Sequence, residues 1–190
     1  DFRWTTLGSS AETIDAAIRW LEQLAADHPE CHFHYLLGNH DYYRRFLDRL
    51  DRLTAATPNF SLHRFYLRLG DCVFLHGDAA RPRMTTEKLL RFRSRWLHAG
   101  PASPLRHRAY DLLLDTGLHR PIPWLVHSSK RRLARRITAY LRHMGEGPDT
   151  GVKNIYFGHT HRRVAGYHYR GMAFHNGGAP IVGHRFQILK

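Results

Sequence analysis

Two imidazoles spaced at i and i+2, His159 and His161 in Tyr156-Phe157-Gly158-His159-Thr160-His161, are the side chains of this sequence best suited to chemistry. Ile155 to Phe157 read as the end of a buried strand, and Gly158 releases the backbone. In extended backbone alternate residues point the same way, so the spacing predicts that His159 and His161 converge on one point. Two other stretches share the pattern of an apolar strand end, a glycine and polar donors: Leu36-Leu37-Gly38-Asn39-His40-Asp41 and Val73-Phe74-Leu75-His76-Gly77-Asp78. Imidazole, carboxamide oxygen and carboxylate are ligands for borderline divalent metals. Taken singly, each stretch has a plainer reading. Asn39 suits a turn, and His76 suits a core histidine bonded to backbone. Sixteen histidines in the chain make such readings common. Three strands in succession, each ending in donors, point instead to one site at one sheet edge, a metal cluster assembled by tertiary folding.

The elements that must position these residues follow from periodicity. Ser9 to Asp27 reads as an amphipathic helix, with Ser9 and Glu12 as a capping box and Ile14, Ile18, Leu21 and Ala25 on one face. His32 to Leu37 reads as a buried strand, and Tyr42 to Leu53 as a helix with Phe46, Leu47, Leu50 and Leu53 inward. Ser61 to Leu69 and Asp71 to Leu75 read as two strands of a hairpin turning at Gly70-Asp71. Beyond Asp78 the texture changes. Thr85 to His98, Leu105 to Leu118 and Ser128 to Met144 are predicted helices, punctuated by Gly100-Pro101 and Pro121-Ile122-Pro123. Short strands return at Asn154 to Phe157, Val164 to Arg170, Met172 to His175 and Arg185 to Leu189. The expectation is one domain over 1–190, an α/β fold with a helical insertion, or cap, over 79–150.

A chain of 190 residues is long enough for a real core, and 43% hydrophobic content excludes a disordered chain. Cys31 and Cys72 stand apart, which argues against a disulfide framework or zinc ribbon and for a reducing compartment. The formal charge is +13, and most of the excess lies in 79–150. Such a field favours anionic partners: phosphorylated metabolites, nucleic acid or an anionic lipid surface. A solvated, arginine-rich helical surface is the bland alternative. No signal peptide or bilayer-length apolar run is seen, so a cytoplasmic location is expected, with peripheral contact to an inner membrane as a further option.

Gly38-Asn39-His40-Asp41, His76-Gly77-Asp78 and Gly158-His159-Thr160-His161 resemble the third, fourth and fifth motifs of the calcineurin-like metallophosphoesterases. His175-Asn176-Gly177-Gly178 is similar to a later segment of that family. The resemblance implies a four-layer α-β-β-α sandwich carrying two divalent metals, manganese or alternatively iron or zinc. It implies a hydroxide bridging the metals that attacks phosphorus in line, its pKa lowered by them. Asn39, His76 and His159 resemble three ligands of one metal, and His161 a ligand of the other. His40 resembles the histidine beside the leaving group, which steadies or protonates the departing oxygen. Asp41 and Asp78 would hold ligand loops in place.

The chain also departs from the pattern. The family's Asp-x-His and Gly-Asp-x-x-Asp motifs are absent upstream of Gly38. Asp1 resembles the final carboxylate of the second motif, which orients the catalytic histidine, here His40. The expectation is therefore an incomplete second metal site and little or no activity in this chain. Thr85 to Arg95 resembles a segment of UDP-2,3-diacylglucosamine hydrolases, which implies a phosphodiester or pyrophosphate substrate such as a UDP-sugar lipid. Arg91 and Arg95 are then candidate substrate-binding residues, with Phe92, Trp96, Tyr110 and Trp124 as aromatic neighbours. A nuclease of the same superfamily and a non-catalytic phosphate-binding protein are the alternatives.

Overall fold

The structure, a computed structural model, describes residues 9–97, 112, 116, 129–179 and 186–189. It is a mixed α/β fold with four α-helices among these residues. The chain forms two compact units, Asp1–Phe65 with Leu90–Ala102, and Tyr66–Leu89 with Ser103–Lys190.

In the first unit, helix α1 (Ser10–Asp27) starts as its sequence dictates. The Ser9 hydroxyl oxygen accepts the Glu12 N–H at 3.2 Å and donates to the Glu12 carboxylate at 2.8 Å. At the other end the Asn59 amide donates to the carbonyls of Ala25, His28 and Cys31, which fixes the turn leaving the helix. Strand β1 (Phe33–Leu36), helix α2 (Arg44–Ala56) and strand β2 (Phe60–His63) follow. β1 and β2 pair in parallel with Phe33 opposite Phe60, and α2 supplies the crossover that a parallel pair requires. Ile14, Ile18 and Leu21 of α1 pack with Phe46, Leu50 and Leu53 of α2, all nearly or fully buried.

The second unit is built on a five-stranded mixed sheet. Its strands are β3 (Tyr66–Leu69), β4 (Cys72–Leu75), β5 (Asn154–Phe157), β6 (Val164–Tyr169) and β7 (Met172–Asn176), in the order β3-β4-β5-β7-β6. β4, β5 and β7 are parallel neighbours, while β3 and β6 are antiparallel edges. Alternation sorts the strand residues. Val73, Leu75, Ile155, Phe157 and Phe174 are buried, and between them Phe74, Tyr156 and His175 line up in register on the half-buried face. Their rings stack at 4.8 Å, Phe74 on Tyr156 and Tyr156 on His175. Helix α4 (Lys130–His143) buries Leu133, Ile137, Tyr140 and Leu141.

The run read as one strand over Ser61 to Leu69 is two strands. β2 follows β1 in parallel, the backbone bends at Arg64-Phe65, and β3 then pairs antiparallel with β4. No glycine or proline marks the break, and the carbonyl of Arg64 goes to the side chain of Arg93 instead of a strand partner. The helix expected over Thr85 to His98 is α3 (Thr86–Arg93) followed by a 3-10 turn, Ser94–Trp96. Of the last expected strand, residues 186–189 contribute an isolated bridge, Phe186 to Gly178. Asp1, Tyr110, Trp124 and nearly all of the helix expected at Leu105 to Leu118 lie outside the described residues. Among the described residues no helix is long and apolar enough to cross a membrane.

Candidate functional site

The second unit carries its donors at one edge. Because β4, β5 and β7 run parallel, their C-terminal ends lie side by side; β4 and β5 are followed by donor residues, His76 to Asp78 and His159 to His161, and β7 ends on one, Asn176. The carboxyl end of parallel strands is where ligands bind in open α/β sheets, because the chain there is free to form loops.

Backbone packing fixes this edge. The Gly158 N–H donates to the His76 carbonyl at 2.9 Å. Gly77 has φ +103, and a Cβ there would lie 2.6 Å from the Gly158 carbonyl oxygen. Only glycine suits both demands. Asn176, 1% exposed, closes the loop from the third strand. Its amide donates to the Gly158 carbonyl and to the Thr160 hydroxyl, each at 3.0 Å, and its oxygen accepts the Gly178 N–H at 2.8 Å. Every polar atom of that buried side chain is thus used, as burial requires.

His76 and His159 meet at this edge, with ring centroids 5.1 Å apart in an edge-to-face arrangement. Burial, then the neighbouring His76, pushes the His159 imidazole down to about 3; Asp78 pulls it up, while Arg81 and His161 lower it further. His159 is therefore neutral across the physiological range, with a ring nitrogen lone pair for a ligand. The backbone does not follow the expected extended path. His159 has φ +62 and His161 φ +54, both left-handed, so the i, i+2 rule of a strand does not govern them. His159 pairs with His76, and His161 is exposed at the same turn. Positive φ at two non-glycine residues in one turn is a strain that characteristically gathers at functional sites.

The first unit holds the other candidates. Asn39 and Asp41, each 3% exposed, and half-buried His40 lie on the loop after β1. The Asp41 carboxylate accepts the Gly38 N–H at 2.7 Å. Burial, and Asp41 beside it accepting its hydroxyl proton, raise the pKa of Tyr35 well above the usual phenol range. Asp41 thus ties the loop to β1. The His40 ring sits 5.3 Å from the ring of Trp96. Arg93 is completely buried, its guanidinium 5.8 Å from the centroid of the Tyr42 ring.

Arg91 and Arg95, the expected substrate-binding pair, are exposed, whereas Arg93 between them is a core residue. Trp96, expected among the substrate-facing aromatics, packs against the core of the first unit. Sequence reasoning passed over Arg93. The helical spacing Leu89, Arg93, Trp96 was the clue, since it puts the arginine on the same face as two apolar side chains.

Among the described residues no group of three or more His, Cys, Asp and Glu side chains is gathered closely enough to hold a metal ion. The expected ligand set for one metal includes a carboxamide, which lies outside that grouping. The donor chemistry fits to the extent of the pair His76 and His159: two adjacent imidazoles, one held neutral by burial. The chain matches no protein-family model, no curated protein and no solved structure.

Proposed function

We propose that this protein is a metal-dependent phosphoester hydrolase of the calcineurin-like kind, with the four-layer sandwich of that family. The observation that carries the reading is the meeting of His76 and the neutral His159 at the carboxyl edge of three parallel strands. His76 and His159 are proposed as ligands of one divalent metal, manganese or alternatively iron or zinc, and His161 as a ligand of a second. When bound, such cations supply Lewis-acid stabilisation of phosphoryl oxygens and acidify water.

The chain's own residues do the rest. Gly77 and Asn176 hold the His159 turn rigid, so little reorganisation accompanies ligation. Burial keeps the His159 proton off, so protonation does not compete with ligation near neutrality. On the first unit, His40 is proposed to donate a proton to, or hydrogen-bond, the leaving oxygen of the ester. The Trp96 ring lies beside it, and the Asp41 carboxylate, bonded to the Gly38 N–H, holds the loop that carries it. Asp1 is the proposed orienting carboxylate for His40. The proposed substrate is a phosphodiester or pyrophosphate such as a UDP-sugar lipid, with Arg91 and Arg95 contacting its phosphates.

The test is hydrolysis of bis-p-nitrophenyl phosphate at saturating Mn²⁺. It is run on this chain and on a longer chain that supplies the Asp-x-His and Gly-Asp-x-x-Asp segments. Mn²⁺-dependent turnover by the longer chain is expected, with His40→Ala lowering turnover while leaving metal content unchanged. No turnover by the longer chain at saturating Mn²⁺ overturns the hydrolase reading. Loss of metal in His40→Ala would make His40 a ligand instead.

A further inference from the structure

We propose that the exposed face of α4 binds the phosphate backbone of a double-stranded nucleic acid, without reading its sequence. The helix has fourteen residues, among them Lys130, Arg131, Arg132, Arg135, Arg136 and Arg142, and no Asp or Glu. Its apolar arc is consumed by packing: Leu133, Ile137, Tyr140 and Leu141 are at most 2% exposed. At about 100° per residue, Arg131, Arg135 and Arg142 fall within roughly 40° of one another on the opposite side, a stripe about 16 Å long. All three are exposed.

Helix stability does not select this arrangement. Three cations occupy the first turn, at the positive end of the helix dipole. Arg131 with Arg135, and Arg132 with Arg136, are like charges four residues apart, which disfavours a helix. Arg136 feels the crowding: after burial, Arg132 and Arg135 are what lower its pKa. Among the described residues, Arg131, Arg132, Arg135 and Arg142 form no ion pair. A row of guanidiniums without carboxylates suits a row of phosphates, which guanidinium binds in bidentate fashion.

The surface chemistry selects among polyanions. A helix that lies on a membrane inserts Trp, Phe or Leu from its exposed side, whereas the only apolar side chain on the exposed arc of α4 is Ala139. Single-strand binders add aromatic platforms on which bases stack, and this arc has none; the one aromatic ring of the helix apart from imidazole, Tyr140, is on the buried face at 1% exposed. A duplex backbone, contacted only through its phosphates, asks for neither.

The experiment measures binding of a fluorescein-labelled, mixed-sequence DNA duplex by anisotropy across a range of NaCl concentrations. EDTA is present, so that the proposed metal centre plays no part. Wild type is compared with Arg131→Gln/Arg135→Gln/Arg142→Gln and with a control that removes equal charge from exposed positions of α2, Arg44→Gln/Arg45→Gln/Arg52→Gln. Circular dichroism establishes that both variants fold. The α4 variant is expected to lose roughly tenfold or more in affinity and to flatten the log K against log [salt] slope by about 2 to 3, with the α2 control close to wild type. Equal losses in the two variants would reduce the effect to net charge and overturn the proposal. So would unchanged duplex binding in the α4 variant.

Discussion

The loop after β1 and the loops after β4 and β5 carry similar residues, Gly-Asn-His-Asp, His-Gly-Asp and Gly-His-Thr-His, but they are held by different means. In the first unit side chains do the holding: Asp41 takes the Gly38 N–H, Tyr35 donates to Asp41, and Trp96 flanks His40. In the second unit backbone meets backbone, with Gly77 against the Gly158 carbonyl and the Gly158 N–H on the His76 carbonyl. A loop held by side chains can give at one contact and keep the others. A loop held by close backbone approach has no slack, so single-atom additions there should do the most harm.

Gly77→Ala is the sharpest way to break the comparison. The new Cβ would meet the Gly158 carbonyl at 2.6 Å at a residue with φ +103, a combined cost of about 3 kcal/mol or more from left-handed backbone and overpacking. Urea unfolding followed by circular dichroism reads it, and a loss under about 1 kcal/mol would show the backbone contact to be soft. Asn176→Ala removes three hydrogen bonds from a side chain 1% exposed, with an expected loss of about 2 to 3 kcal/mol in the same measurement.

How much of this was legible in the sequence differs between the two loops in the same way. The capped helix α1, the inward face of α2 and the strands that end in donors were readable, because each depends on local periodicity or a local cap. The hairpin at Gly70-Asp71 was readable for the same reason. Asn176 was not readable as a structural residue, because its partners Gly158 and Thr160 are distant in sequence; for Arg93 the spacing to Leu89 and Trp96 marks a buried face, but its partners, the Arg64 carbonyl and the Tyr42 ring, are not local. An extended path through His159 and His161 was expected. The backbone there is instead left-handed, in a turn whose Gly158 carbonyl and Thr160 hydroxyl are bound by Asn176, a partner outside the local sequence.

Acid should weaken the second unit of the metal-free protein in a defined window. The folded pKa of His159, about 3, lies below its ordinary 6.5. The unfolded chain therefore takes the proton first as pH falls. The contribution is intact above about 6.5 and is lost progressively on acidification towards 3. By pH 5 the single group accounts for about 2 kcal/mol, and urea midpoints at pH 7.5 and 5 measure it, with His159→Asn reducing the difference. In the first unit, His34 and His63 are also depressed, by burial first and then by neighbouring imidazoles. The direction there is the same and the effect smaller, since these rings are more exposed. At the bottom of the scale, Asp51→Asn breaks the exposed pair with Arg64 and should shift stability by less than about 0.5 kcal/mol.

Isothermal titration of Mn²⁺ into the wild-type chain, His76→Ala and His159→Ala tests the central claim most directly, with circular dichroism to establish folding. Saturable binding to the wild type is predicted, weakened by about 100-fold or more in each folded variant, since even partners of metal ligands cost ten- to a hundredfold. Equal Mn²⁺ affinity in all three proteins would contradict the account, because the imidazoles that meet at the strand edge would then hold nothing.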